Sequence, residues 1–434
     1  AGVTVLAAGT AGCEGILSEE TPTRSDRWAT PTGRSTTASV PSPSSTQTGG
    51  TPATPTERST PPPPPTVTNE SGLLTEISPE DSSSGDLFGY STAIEDGTAF
   101  VGAPGSDVVC VFEQSDSGWR QVATLTPAAE DSDDAFGASV AVDGDTLVVG
   151  APTGTANGTR SGAAYVFERT EEAWSQTARV VPETPIARAR FGIDVTLVDG
   201  GTVVGASNAI DPNGTRSGAA YAFDRTEEGW TQAATLALDD GAQSDEFGVS
   251  LANAAGTLFV GTYGADSVSV FERSSGTWDR TVTLVPGTGN GPSLFGADVT
   301  ITGDTALVSA PTPRGWGGES GPAYVAEPTS DGWQATSGLL PSAATDRDGF
   351  GTAVALADDT ALVGAARPTG TSSVYVFDLA NGTWRQDIEL VPDPDSGNAA
   401  FGDEIATADG TALIGAPNVV QESGTAVIVD IDAL

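Results

Sequence analysis

Three residue types are missing from this 434-residue chain, which contains no lysine, no histidine and no methionine. Without an imidazole there is no histidine general base, no Ser-His-Asp triad and no histidine-ligated zinc. Without lysine there is no Schiff-base chemistry. An enzyme with this sequence would therefore depend on carboxylates, hydroxyl groups, tyrosine or a bound metal.

Cysteine is almost absent too, since the chain has only Cys13 and Cys110. Two cysteines are too few for a disulfide framework and do not define the redox compartment. We expect Cys110, which lies in a predicted strand, to be a small buried hydrophobic residue.

Negative charge is abundant, with 58 aspartates and glutamates against 18 arginines and a formal net charge of −40. Such a surface repels nucleic acid and anionic membranes, and no basic cluster is visible along the sequence. Many carboxylates without lysine keep a protein hydrated in molar salt, which suggests an extreme halophile as the source. An ordinary acidic protein is the alternative.

The first 12 residues are small and apolar and lead directly into Cys13. This arrangement resembles the end of a signal peptide at a lipoprotein cleavage site, which predicts lipidation of Cys13 and residues 1–12 as a signal remnant. An ordinary secretion signal or part of a transmembrane helix is the alternative.

Residues 13–70 are predicted to form a disordered, O-glycosylated stalk. Between Glu19 and Thr68, 21 of 50 residues are serine or threonine and 11 are proline, with almost nothing apolar to bury. Proline-rich chain in the polyproline II form rises about 3.1 Å per residue. The stalk would therefore hold a domain on the order of 100 Å from a membrane.

From residue 71 onward the chain repeats itself. A Phe-Gly pair occurs seven times, at Phe88, Phe136, Phe191, Phe247, Phe295, Phe350 and Phe401. Fourteen residues after each phenylalanine begins a Gly-Ala-Pro-like triplet, at Gly102, Gly150, Gly205, Gly261, Ser309, Gly364 and Gly415. A constant offset in units of about 50 residues indicates a repeat architecture.

Each unit is predicted to contain four short strands joined by Gly- and Asp-rich turns, and seven such units indicate an all-β, seven-bladed β-propeller over residues 71–434. The first strand is rich in small residues, as the crowded axis requires. A tryptophan on the fourth strand would fill the wide outer wedge. The last unit lacks this strand, so strand 73–79 is expected to close the ring.

The paired Phe-Gly and Gly-Ala-Pro motifs resemble the FG-GAP repeats of integrin α-subunits and of many secreted prokaryotic proteins. The resemblance covers residues 73–434 and implies a propeller that binds proteins or glycans through one face. Family members often carry calcium loops between the two motifs. Here that segment is a short turn such as Asp143-Gly144-Asp145, too short to surround calcium. We expect no cofactor and do not transfer the family's calcium sites.

These features predict an extracellular, membrane-anchored binding or adhesion module rather than an enzyme. Its expected partners are a cell-surface protein or glycan and, through the lipid anchor, the membrane. The alternative is a polysaccharide lyase or hydrolase that uses paired carboxylates in the central cleft.

The third residue after each phenylalanine is expected to line the central channel. These residues are Ser91, Ser139, Asp194, Ser250, Asp298, Ala353 and Glu404. Asp194, Asp298 and Glu404 are candidates to hold a cation, calcium included, in the channel. A hydrated polar channel without a ligand is the alternative.

One tryptophan departs from the repeat. Trp316 lies with Arg314 between the second and third strands of the fifth unit, and Tyr263 occupies the equivalent loop of the fourth. Aromatic and arginine side chains anchor many interfaces, so these three residues are candidates for a ligand-binding face. Trp316 as a plug between blades is the alternative.

Four Asn-X-Ser/Thr sequons fall in predicted turns, where an attached sugar would be exposed. The candidate glycosylation sites are Asn69, Asn157, Asn213 and Asn381.

Overall fold

The computed structural model describes residues 64–68, 72–128, 134–170, 173–286, 293–311, 321–342, 349–366, 372–392, 400–417 and 423–434. These residues confirm the all-β prediction: seven four-stranded antiparallel blades form one ring. Each inner strand contacts the inner strands of both neighbouring blades, and the seventh contacts the first. Blades are numbered here by their Phe-Gly pair.

The strands occupy equivalent positions in all blades. The innermost strands are Ser91–Glu95, Ser139–Asp143, Phe191–Val198, Leu251–Ala254, Val299–Thr302, Phe350–Ala357 and Glu404–Ala408. The second strands are Thr98–Ala103, Thr146–Ala151, Gly201–Ala206, Thr257–Thr262, Thr305–Ser309, Thr360–Ala365 and Thr411–Ala416. The third strands are Val108–Ser115, Ala163–Arg169, Ala219–Thr226, Ser267–Ser274, Ala323–Thr329, Ser373–Ala380 and Thr425–Asp430. The outer strands are Gly118–Leu125, Trp174–Val180, Gly229–Leu236, Thr277–Leu284, Gly332–Leu339, Thr383–Leu390 and, for blade 7, Leu74–Ile77.

Short turns between the first and second strands use residues that tolerate left-handed backbone. In blade 1, Asp96 and Gly97 have φ values of 46° and 67°, and Asp409 and Gly410 repeat the pattern in blade 7 with 49° and 70°. Two consecutive positive φ angles match the twist of a tight hairpin. The Asp-Gly pairs in the sequence therefore determine where these strands reverse.

The N-terminal part of the propeller closes the ring. Leu74 pairs with Val429 and Ile77 with Ala426 in an antiparallel register, so the outer strand of blade 7 comes from the other end of the chain. The strand is shorter than the predicted 73–79. In addition, Thr66–Val67 pairs in parallel with Glu389 and Leu390 as a fifth strand of blade 6, although the sequence placed these residues in the stalk.

The two glycines of the repeat bring adjacent blades into contact. A Cβ on Gly150 would lie 2.1 Å from the carbonyl oxygen of Gly192, which is the Phe-Gly glycine of the next blade. The Phe-Gly glycines all have φ between 81° and 91°, where other residues are strained. Blade 5 differs because Ser309 replaces the first glycine, and its junction is looser: a Cβ on Gly351 would approach no atom closer than 3.5 Å.

Aromatic side chains fill the wedges between blades. All seven phenylalanines of the Phe-Gly pairs are fully buried. Trp174 of blade 2 packs edge-to-face on Phe100 of blade 1, with ring centroids 5.2 Å apart, and Trp333 packs on Phe259 at 4.9 Å. Such contacts add to the burial of apolar area. The predicted wedge-filling role of the outer-strand tryptophans is observed at these two junctions.

Candidate functional site

The propeller has two different faces. The loop face carries the connections between second and third strands and the connections between blades, which meet through bonds such as Gly105 N–H to Asp86 O at 3.0 Å. The turn face carries the short hairpin turns, which meet through bonds such as Arg169 N–H to Asp145 O at 2.8 Å. The turns between first and second strands all have two residues, whereas the loops between second and third strands differ, with four residues in blade 1 and twelve in blade 3. Variation in length is therefore concentrated on the loop face.

A cavity of about 140 Å³ lies on the axis and is lined by side chains from all seven inner strands. Ser91, Ser139, Asp194, Asp298 and Glu404 line it, as the sequence predicted. Five of the seven predicted positions therefore line one cavity, whereas Ser250 and Ala353 do not line it.

Asp194 connects three blades at the channel wall. Its Oδ1 accepts hydrogen bonds from Ser139 Oγ of blade 2 at 2.8 Å and from Val195 N–H at 3.0 Å. Its Oδ2 accepts a hydrogen bond from Leu251 N–H of blade 4 at 2.7 Å. Hydrogen bonds to an ionised acceptor are about twice as strong as neutral ones. Asp194 therefore joins neighbouring inner strands through hydrogen bonds, and a side chain in this role is called a clasp below.

The same position forms clasps at other junctions. Asp298 of blade 5 accepts a hydrogen bond from Val354 N–H of blade 6 at 2.9 Å. Ser91 and Ser250 donate to the carbonyl oxygens of Gly137 and Gly296 in the next blade, at 2.7 and 2.9 Å. Ala353 in blade 6 has no side-chain polar group to do so. The polar side chains at this position are thus explained by the hydrogen bonds that they form with the next blade.

The three-carboxylate cation site is not formed. In the part of the chain that the structure describes, no three acidic or thiol side chains are grouped closely enough to hold a metal ion. Asp194 and Asp298 each accept a backbone hydrogen bond from the next blade. Asp194, Asp298 and Glu404 line one cavity without forming a common set of ligands.

A larger cavity of about 450 Å³ lies toward the turn face and is lined by Asp143, Asp199 and Asn253 among others. Nearby, Glu95 Oε2 accepts a hydrogen bond from Gly144 N–H at 2.7 Å. Burial raises the pKa of Glu95 and so do Asp143, Asp96 and Asp409, while the Gly144 hydrogen bond lowers it. The net effect is a carboxyl whose pKa lies above its ordinary value.

Tyr263 does not belong to a ligand-binding surface. It begins a short 3-10 turn, Tyr263–Ala265, and only 3% of its surface is exposed. It packs with Val249, Leu294 and Ala297, so its ring is unavailable to a ligand. Arg314 and Trp316 lie outside the described residues.

The sequons that the structure describes are exposed. Asn157 and Asn381 lie in turns with φ values of 50° and 54°. Asn213 is also exposed, but its Nδ2 donates a hydrogen bond to Asp239 O at 2.9 Å. Glycosylation at these positions stays a prediction; Asn69 and the proposed lipidation site Cys13 lie outside the described residues.

Four arginines lie close together on the loop face. Arg160, Arg188, Arg190 and Arg216 come from three segments and converge on blades 2 and 3; they are called the arginine patch below. Arg188 N–H donates to Arg160 O at 2.7 Å, and Arg216 Nη1 donates to Ala187 O at 3.4 Å. The repeated Asn-Gly-Thr-Arg-Ser-Gly sequence in blades 2 and 3 was the available signal.

Comparison with known proteins identifies the repeat. Six consecutive segments match the family model described as FG-GAP repeat, at residues 73–118, 119–167, 174–223, 230–276, 278–326 and 333–377. No curated protein matches the chain. No helix in the described residues has both the length and the apolar character needed to cross a membrane.

Solved structures with a similar fold include a streptogramin B lyase, with a TM-score of 0.52 and 10% identity over 82% of this chain and 96% of that one. Another is a catalytically inactive histidine-to-alanine variant of virginiamycin B lyase from Staphylococcus aureus with quinupristin. Its TM-score is 0.53 at 11% identity, over 82% of this chain and 98% of that one. At these identities the likeness shows the fold alone.

Proposed function

Because the chain belongs to the FG-GAP repeat family, we propose that its propeller is a binding or adhesion module that presents the loop face to a protein or glycan at the cell surface. The supporting observation is the division of roles between residues. Residues at repeated positions, such as Asp194 and Gly150, hold blades together, while the loops of the loop face differ in length between blades. A rigid scaffold with variable loops is a common arrangement for binding.

The proposal places the protein outside the cell, anchored through Cys13 and held away from the membrane by its stalk. Its support is the sequence of residues 1–68, with a small apolar start, one cysteine and a Ser/Thr/Pro-rich segment. Mass spectrometry of the membrane fraction tests this part: a diacylglyceryl group on Cys13 is expected. A Cys13 peptide without lipid would contradict the anchor.

Enzymatic activity is the competing function, because the similar folds include lyases. The lyase variant described above loses activity when a histidine is replaced, and this chain has no histidine. A carboxylate mechanism would need an acid and a base in the channel. Asp194 and Asp298 instead accept backbone hydrogen bonds from neighbouring blades, which favours binding over catalysis.

A panel assay separates the two functions. The full chain is incubated with immobilised neutral, uronate-containing and sulfated oligosaccharides, and both retention and the released products are measured. Saturable binding with every oligosaccharide recovered intact is expected. Progressive formation of unsaturated uronates or new reducing ends, abolished by Asp194→Asn, would establish the enzyme instead.

A further inference from the structure

The cavity of about 450 Å³ toward the turn face, called the turn-face cavity below, is lined by residues of blades 1, 2, 3, 4 and 7. The polar residues of its lining are Thr92, Asp143, Thr196, Asp199 and Asn253, and the others are alanine, valine, leucine or isoleucine. The lining thus includes two carboxylates and no arginine. Acidic groups and hydrogen-bond acceptors therefore meet aliphatic side chains in this cavity.

Thr92 carries a buried hydroxyl for which the described residues supply no hydrogen-bond partner. It is only 5% exposed, and its Oγ1 is unpaired. Thr92 lines both the axial cavity and the turn-face cavity. The equivalent residues of the other six inner strands are aliphatic: Val140, Val195, Leu251, Val299, Val354 and Ile405. Blade 1 therefore departs from the repeat by placing at the cavity wall a polar group that blade packing does not require.

Asn253 provides a second buried acceptor in the same cavity. Its Nδ2 donates to Leu197 O of blade 3 at 3.1 Å, while its Oδ1 is buried and, within the described residues, has no hydrogen-bond partner. The equivalent residue of blade 7, Thr407, makes the same kind of contact by donating to Leu356 O of the preceding blade. A single hydroxyl is thus enough for the contact between blades, and the amide of Asn253 adds an acceptor that the blades do not use.

The two carboxylates of the lining are also available. Asp143 and Asp199 are exposed, and in the described part of the chain their side chains form no hydrogen bond or ion pair. Arg273 Nη1 donates to the carbonyl oxygen of Asp199 at 3.3 Å, but Nη2 of the same arginine is bound to both carboxylate oxygens of Asp224, at 2.6 and 2.7 Å. Burial and neighbouring aspartates, Asp143 among them, raise the pKa of Glu95 beside the cavity, as uncompensated negative charge requires.

From this geometry we propose that the turn-face cavity binds an aliphatic amine, with one ammonium group at the carboxylates of Asp143 and Asp199 and further N–H donors at Thr92 Oγ1 and Asn253 Oδ1. An ammonium group has three N–H donors and no acceptor, so it suits a lining of acceptors. The methylene chain lies against the aliphatic side chains, as lysine stems do on apolar surfaces. This site is on the face opposite the loop face and goes beyond the proposed function.

A metal ion fits this cavity less well than an amine. In the described residues no three acidic or thiol side chains are grouped closely enough to hold a metal ion. An amine needs no such cage, because its donors are spread along a chain. A free polyamine and the lysine side chain of a partner share this chemistry, and the two sources are separated by the test.

The net charge of −40 attracts any cation, so the test is made in 1 M NaCl, where the Debye length is about 3 Å and only direct contacts count. The full chain is titrated by calorimetry with diaminobutane, with its uncharged analogue butanediol and with calcium chloride. We expect saturable binding of one diaminobutane per chain and no binding of butanediol or calcium.

Matched variants locate the site. Asp143→Asn/Asp199→Asn should bind diaminobutane at least tenfold more weakly. The control Asp304→Asn/Asp359→Asn removes the same charge from exposed turns of the same face and should stay within twofold of the unaltered chain. If the first variant does not fold, Asp199→Asn alone carries the test.

Thr92→Val tests the buried acceptor separately. Valine occupies this position in blades 2, 3, 5 and 6, so the variant should fold with an unchanged or higher melting temperature. Its affinity for diaminobutane should fall at least threefold with the stoichiometry unchanged. An unaltered affinity would contradict the role of Thr92.

Three results would overturn the assignment. They are no binding of the amine, an equal loss in both double variants, and equally tight binding of butanediol or calcium. The peptide Gly-Lys-Gly identifies the source of the ammonium group: tighter binding than diaminobutane assigns the site to the lysine of a partner protein, and weaker binding assigns it to a free amine.

Discussion

Replacing Asp194 with alanine tests whether the channel carboxylates are structural clasps. The substitution removes the acceptor for Ser139 Oγ and for the N–H of Leu251, a residue only 7% exposed. Leaving a buried donor unsatisfied costs about 1–3 kcal/mol. Val195 N–H keeps Ser139 Oγ as an acceptor at 3.1 Å, so two lost partners give roughly 2–6 kcal/mol of destabilisation.

Urea unfolding followed by tryptophan fluorescence measures this loss. Asp304→Ala is the control, because Asp304 is an exposed acid in a hairpin turn, and its midpoint should not move. The double variant Asp194→Ala/Ser139→Ala should be less destabilised than the sum of the single variants, since the two side chains share a hydrogen bond. Equal midpoints for Asp194→Ala and Asp304→Ala would refute the clasp and return Asp194 to the list of ligand-binding candidates.

Three further predictions follow from other parts of the ring. Gly364→Ala should destabilise the fold by about 1–3 kcal/mol or more, because the new Cβ would lie 2.0 Å from Gly402 O. The control Gly338→Ala should leave the urea midpoint unchanged, because its new Cβ makes only an ordinary contact at 3.5 Å. Glu95→Gln should raise the melting temperature at pH 7 and have no effect near pH 4. A carboxyl whose pKa is raised in the folded state contributes to stability below its ordinary pKa of 4.5, and this contribution is lost as the pH rises through the folded-state pKa. Destabilisation by the substitution at pH 7 would contradict this. Burial raises the pKa of the Cys110 thiol to about 11, so in protein produced without lipidation of Cys13, maleimide at pH 7 should label only Cys13 when the protein is native and both cysteines in urea. Native labelling of Cys110 would show that its strand opens.

The propeller could be predicted from the sequence because its determinants are local and repeated. The Phe-Gly pair and the triplet 14 residues later recur in every unit, and each Asp-Gly turn fixes a strand reversal within a few residues. Ring closure could also be predicted, since Leu74 and Ile77 supply the strand that the last unit lacks. The spacing of the repeats did not define where the stalk ends, because Thr66–Val67 pairs with a strand more than 300 residues away in the sequence.

The candidate sites were harder to predict because they depend on contacts between blades. Asp194 was placed correctly in the channel, but its partners Ser139 and Leu251 lie in other repeats, so its clasping role was not visible. Tyr263 was expected on the surface because it lies in the loop of blade 4 that is equivalent to the loop of Trp316 in blade 5. It is buried because apolar Val249 and Leu294 lie beside it. The arginine patch joins three segments that look unremarkable separately.

The central claim, that the loop face binds the ligand, can be tested by masking each face in turn. In a Cys13→Ser background the remaining native cysteine, Cys110, is buried. One exposed cysteine is then placed at Asn157 on the loop face or at Asp304 on the turn face, and each is coupled to a bulky polyethylene glycol maleimide. Attachment to cells or to the oligosaccharide retained in the panel assay is then compared with the uncoupled proteins. The account predicts that the polymer at position 157 abolishes attachment and that at position 304 leaves it unchanged; loss only on masking position 304 would contradict it.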